Sequence, residues 1–158
     1  MILFDGKEEF TTSLKRALTE IDPNWRKYKG LIVPGSHTPT LIEEKIEAIK
    51  NARERKIPAL LICLGHQLAA IEYARNILGI KDATSEEFGE GTFVVKKRKQ
   101  GLKIGHKKDG TYWNNYEVTI ETKHPWWFYS TQTHPEYESS IGNTHPLLVS
   151  FILACKSR

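Results

Sequence analysis

Cys63 stands where an apolar run, Ala59-Leu60-Leu61-Ile62, gives way to Leu64-Gly65-His66-Gln67. A strand that turns sharply into a helix at that point pushes the cysteine out of the sheet edge, where the unpaired N–H groups of the first helical turn favour a thiolate. That is the setting of a nucleophile. Seventy-one residues further on, His134-Pro135-Glu136 offers a base and a carboxylate to orient it. By itself Cys63 reads equally as a buried structural cysteine, since a free thiol packs like a small hydrophobe. His134 reads equally as a loop histidine capping a carbonyl. The elements around them have to bring the three together.

At 158 residues, with 39% hydrophobic and 10% aromatic content, the protein fits one domain, residues 1–158, around a single core. Its two cysteines, Cys63 and Cys155, make no disulfide framework. Neither a paired Cys-x-x-Cys nor a His-Glu-x-x-His asks for a metal. No cofactor is expected, and reduced thiols point to the cytoplasm. The first residues, Met1-Ile2-Leu3-Phe4-Asp5, turn polar too soon for a signal peptide, and no apolar run reaches the ~18 residues of a membrane span. The net charge of +4 is local: seven basic residues and no acid lie between Lys96 and Lys108, leaving the remainder net acidic. The segment reads first as a solvated face and second as a docking surface. Aromatics do not interleave with it as a stacking platform requires, which argues against nucleic acid.

The elements alternate. A short strand over 2–4 precedes a helix over 8–21, where Phe10, Leu14, Ala17, Leu18 and Ile21 keep helical spacing up to Asp22-Pro23. A buried strand over 30–33 is broken by Pro34-Gly35-Ser36-His37. A capping box at Thr40-Leu41-Ile42-Glu43 opens a helix through about 55. The strand over 59–62 is apolar on both faces, which suits the interior of a parallel sheet, and the helix after Cys63 runs to about 78. From 92 to 120 short strands are separated by Lys-Gln-Gly and Lys-Lys-Asp-Gly turns, as in an antiparallel insertion. Trp126-Trp127-Phe128-Tyr129 resumes the sheet and leads to Gln132 and His134, and a helix from His145-Pro146 to Lys156 closes the sequence. The order predicts a three-layer α/β/α fold with a mainly parallel sheet and right-handed crossovers.

Gly30-Leu-Ile-Val-Pro-Gly35, Ile62-Cys-Leu-Gly-His-Gln67, Glu72-Tyr-Ala-Arg75, Asp82-Ala-Thr-Ser-Glu-Glu-Phe88 and Gln132-Thr-His-Pro-Glu-Tyr137 resemble, in order and spacing over roughly residues 30–155, the class I glutamine amidotransferase domain of the CTP synthase type. The resemblance implies the flavodoxin-like fold of that family. It also implies Cys63 as nucleophile, His134 as proton shuttle and Glu136 as its orienting acid. Attack on a carboxamide gives a tetrahedral intermediate; His134 protonates the departing nitrogen, leaving a γ-glutamyl thioester that water cleaves. An extended His134-Pro135-Glu136 segment would place the two side groups on one side. By the same resemblance the oxyanion is held by backbone N–H groups of Leu64 and of the Gly35-Ser36 loop, while Gln67 and Glu87 grip the amino-acid part of glutamine.

Three positions depart from the family. Leu61 stands where a small glycine precedes the elbow, which predicts an altered bend. Ser36 replaces a second loop glycine and restricts positive φ there. Asn115, before Tyr116-Glu117, takes the place of an arginine expected to hold the α-carboxylate, a loss of roughly 1.5–3 kcal/mol or one to two decades in affinity. The resemblance therefore supports a glutaminase-type hydrolase acting on glutamine or a related amide, with two alternatives: a hydrolase of another γ-glutamyl amide, or an inactive interaction module on the same fold. The sequence has no room for a synthetase domain and no Gly-x-x-x-x-Gly-Lys-Ser/Thr loop. A separate synthetase subunit that accepts the ammonia, docked through residues 96–108, is the expected partner.

Overall fold

Residues 59–62 become a central strand because both faces of Ala-Leu-Leu-Ile find a hydrophobic layer. A computed structural model of the protein describes residues 1–4, 9–107 and 110–158, with side chains described outside 100–114. The expected helix start at Glu8 and the basic side chains of Lys103, Lys107 and Lys108 lie outside the described set. A four-stranded, wholly parallel sheet runs in the order β1 (Ile2–Leu3), β2 (Leu31–Val33), β3 (Ala59–Ile62), β7 (Phe128–Thr131). Between β1 and β2 comes α1 (Glu9–Ile21); α2 (Ile42–Glu54) and α3 (Leu64–Asn76) flank β3; α4 (Pro146–Lys156) is the last helix. A second sheet holds β4 (Ala83–Ser85), β5 (Thr92–Lys107) and β6 (Gly110–Val118), with β4 parallel and β6 antiparallel to β5.

Alternation along the central strands sorts side chains into two cores. Leu31, Val33, Ala59 and Leu61 pack with α2 and α3, and with Val94 and Val95 of the second sheet. Ile32, Leu60 and Ile62 pack with Leu14 and Leu18 of α1, Trp25, and Phe151 and Ile152 of α4. This is the three-layer arrangement expected from the alternating pattern. Arg53 of α2 clamps the nearly fully buried Glu72 of α3 through Nε and Nη2, at 2.8–3.2 Å.

Several local expectations are corrected. The capping box does not form: Leu41 itself is the N-cap, in a left-handed conformation (φ 53°) that offers the helix no polar cap, and the Thr40 carbonyl accepts from Lys45 Nζ at 2.7 Å. The Lys-Gln-Gly stretch is no turn; β5 runs through it with a register shift between Lys97 and Leu102, because a bulge absorbs the irregularity without ending the strand. The returning strand begins at Phe128, after a turn containing Trp126 and Trp127. Strand β4 was not expected; three residues carry too little pattern to announce it. Among the described residues no helix is long and apolar enough to cross a membrane.

Candidate active site

The last ladder bond of β3 leads directly to the cysteine: Cys63 N–H donates to Thr131 O of β7 at 2.8 Å. The backbone then reverses at once into α3, and Cys63 takes φ 52° and ψ −100°, a conformation that L-residues hold only when the surroundings impose it, at about 1–3 kcal/mol. Gly65 shows what imposes it. A Cβ at that position would run into the Val33 carbonyl oxygen, so the first turn of α3 lies directly on β2. Leu61 is fully buried in the core with Leu64 and Leu68, and the sharp bend forms with this bulky residue in place. The Leu61 side chain points away from the turn into the α2/α3 layer.

After β7 the backbone brings Gln132 and His134 up beside the thiol. Gln132 Nε2 donates to Cys63 Sγ at 3.4 Å, and Gln67 Nε2 donates to Gln132 Oε1 at 3.3 Å. His134 and Glu136 are both fully buried, with Nδ1–H donating to Glu136 Oε1 at 2.5 Å. The segment that joins them is a turn, not extended: Pro135 starts it and Tyr137 N–H donates to His134 O at 3.0 Å. The pairing expected of an extended segment is thus reached by a different backbone, because a proline favours the first corner of a turn.

Burial alone would lower the His134 pKa, but interactions with Cys63 and Glu136 outweigh it and hold it up at about 9. His134 Nε2 is buried without a closed hydrogen bond among the described residues, as is Glu136 Oε2. The thiol is close enough to favour the imidazolium without completing a short bond, a looseness common before substrate arrives. Gly35 keeps the two side chains accessible to each other: a Cβ there would lie 2.6 Å from His134 Cε1 and 3.3 Å from Cys63 Cβ. The neighbouring Ser36 is not among the residues with positive φ, as a side chain there requires; its Oγ accepts from Thr38 N at 3.2 Å. Leu64 begins α3, where first-turn N–H groups have no partner within the helix.

One cavity of about 180 Å³ is lined by Cys63, Leu64, His134, Ser36, Gln67, Glu87 and Asn115, together with Phe10, His37 and Tyr116. Seven residues singled out from the sequence therefore meet at one opening, with Gly35 and Glu136 directly behind it. Glu87 is exposed, and partial desolvation pushes its carboxyl up; Asn115 is exposed at the mouth. Phe10, Gln132 and Tyr137 were not foreseen as parts of the site. Phe10 of α1 and Tyr137 both pack on the same imidazole, with ring centres 4.8 and 5.0 Å from His134 and 5.8 Å from each other. Phe10 looked like an ordinary core position of an amphipathic helix, and nothing local distinguishes the two roles. Among the described residues no group of three or more His, Cys, Asp or Glu is placed to hold a metal ion.

Residues 8–121 match the family model described as glutamine amidotransferase class-I. The CTP synthase of Methanoculleus marisnigri is 35% identical over 179 aligned positions, covering 80% of this chain and 34% of the relative. That of Methanoregula boonei is 30% identical over 223 positions, covering 96% of this chain and 42% of the relative. The protein thus spans well under half the length of these relatives. The latter alignment is also longer than the 158 residues available, so the relative carries insertions within the matched region. Among solved structures, the glutaminase domain of Trypanosoma brucei CTPS with bound acivicin superposes with a TM-score of 0.76 at 19% identity, covering 99% of this chain and 93% of that one. This likeness shows the fold.

Proposed function

The protein belongs to the class I glutamine amidotransferase family, and from that premise we propose that it hydrolyses a primary carboxamide of the glutamine type through Cys63, His134 and Glu136. The observation that carries the reading is the left-handed φ of Cys63 at the start of α3, beside a buried His134 bonded to Glu136. The Cys63 thiolate attacks the carboxamide carbon, with its charge balanced by the His134 imidazolium and the α3 N-terminus. The oxyanion faces the backbone N–H groups of Leu64 and of the Gly35-Ser36 loop. As the intermediate collapses, His134 gives its proton to the nitrogen, the C–N bond breaks and ammonia leaves. The acyl group stays on sulfur as a thioester. Water, deprotonated by His134, cleaves the thioester and releases the carboxylate.

Glu136 fixes the imidazole tautomer, and Gln132 and Gln67 hold the thiol from the other side. The ammonia it releases passes to a synthetase of the kind its longer relatives' name implies. Its two cysteines are unpaired, in keeping with a reducing compartment. Intact-mass measurement after incubation with a glutamine-mimicking diazoketone tests the reading. One adduct on the wild type and none on Cys63→Ala is expected. A generic thiol reagent that labels Cys63 while the diazoketone does not would overturn it.

A further inference from the structure

We propose that a second cavity, between α2 and the outer strand β1, is a binding site for an aliphatic carboxylate, with the hydrocarbon chain laid along α2 and the carboxylate held by Lys29 and Arg55.

The side of α2 that faces this cavity accounts for the space. Ala48, Asn51, Ala52 and Arg55 recur at i, i+3, i+4 and i+7, and the two alanines carry only a methyl toward the sheet. Elsewhere the same helix is packed through Ile46 and Ile49, both buried. Across the gap, Ile2 stands opposite Leu31 in the parallel ladder, and residues opposite one another share a face; Leu31 packs on the α2 side, so Ile2 lies on that side too. Among the described residues β1 is the outermost strand, and Ile2 is left 61% exposed. The cavity has a volume of about 540 Å³, within the ~300–1,000 Å³ usual for small-molecule sites. An alkyl chain placed between the alanine methyls and Ile2 takes apolar surface of both partners out of water.

The rim sets the other end of the ligand. Lys29, just before β2, and Arg55, just after α2, line the same cavity and are exposed. A guanidinium fork and an ammonium on one rim suit a carboxylate, which accepts from both. The carboxylates of this part of α2 are directed elsewhere: Glu47 to Asn51 Nδ2 and Lys50, Glu54 to Arg53. Because both cations are exposed, they contribute orientation and selectivity, and the chain contributes most of the affinity. The site is separate from the reaction. Ile2, Lys29 and Ile57 lie at the N-terminal ends of their strands, whereas Cys63 follows the C-terminal end of β3, and the two cavities share no lining residue.

Binding is followed on methyl-¹³C-labelled protein titrated with butanoate, hexanoate and octanoate, with octan-1-ol as the uncharged counterpart. The expected result is saturable shifts of the Ala48, Ala52 and Ile2 methyls, with affinity rising roughly fourfold per methylene along the series. Octanoate is expected to bind about fivefold more tightly than octanol at low salt, a margin that shrinks as salt is added. Lys29→Glu combined with Arg55→Glu should erase that margin while octanol binding stays. Ala52→Leu, which occupies the volume of the chain, should weaken octanoate by about tenfold. Absence of saturable alanine methyl shifts with millimolar octanoate overturns the inference, as does octanol bound as tightly as octanoate by the wild type. Shifts of the same methyls that follow protein concentration and not octanoate assign the cavity to a second copy of the chain, and overturn it as well. Should Ala52→Leu fail to fold, the exposed charge pair decides: an octanoate margin that survives both reversals refutes the site.

Discussion

Two buried atoms without partners, His134 Nε2 and Glu136 Oε2, stand at the centre of the chemistry assigned to this protein. Such atoms cost stability, and a catalytic role is one reason a fold retains them. A His134 pKa of about 9 means the imidazolium persists through neutral pH. In the proposed mechanism the leaving nitrogen takes that proton, so kcat/KM is expected to decline above about pH 9. The sign for stability is the same: the folded value lies above the reference 6.5, so this contribution is full below 6.5 and lost as pH rises through 9. Glu136→Gln should move the basic limb of the pH–rate profile downward, and His134→Ala should reduce kcat by roughly 10²–10⁴. An unshifted limb in Glu136→Gln would show that the carboxylate does not set the imidazole. Phe10→Ala removes one of the two aromatic rings packed on His134. It is expected to lower kcat several-fold with little change in KM, measured at saturating and limiting substrate.

At the scale of elements, the turn from β3 into α3 depends on a contact that no side chain makes. The backbone of Gly65 lies against the Val33 carbonyl, and this closeness holds Cys63 in its left-handed conformation. Gly65→Ala should therefore destabilise the fold and release the elbow; a chemical-denaturation midpoint unchanged from wild type would refute that. The α2 and α3 layer rests on Arg53 and Glu72. Arg53→Ala strands a carboxylate that is 1% exposed, and a loss of about 3 kcal/mol is expected in urea unfolding. Arg53→Ala with Glu72→Leu should recover much of it, since the cost comes from the unpaired charge and not from the missing pair. The expected capping box at residues 40–43 illustrates the limit of local reading, because the backbone enters the helix through Leu41 in a left-handed conformation and Thr40 falls outside the cap position.

Across the whole molecule, α1, the central sheet and the second sheet each deliver part of the cavity. His124, packed against Tyr73 and Phe128, is held by burial at a pKa of about 4. Since the unfolded state binds that proton near 6.5, stability should fall as pH drops from 6.5 toward 4, and His124→Phe should flatten that dependence in thermal melts. The sequence alone determined the alternating α/β order, the strand running into Cys63, the His134 and Glu136 pair, and the identity of most residues at the opening. Those features are legible because hydrophobic period and residue type act over a few neighbouring positions. Only the tertiary structure decided that Phe10 and Tyr137 both pack on His134, that Gln132 touches the thiol, and that the described cavity wall carries one carboxylate and no lysine or arginine. Those depend on the parallel pairing of β7 with β3 and on where α1 and β6 come to rest, which are contacts between residues dozens of positions apart. No local pattern encodes such neighbours; they follow from how the layers close on one another.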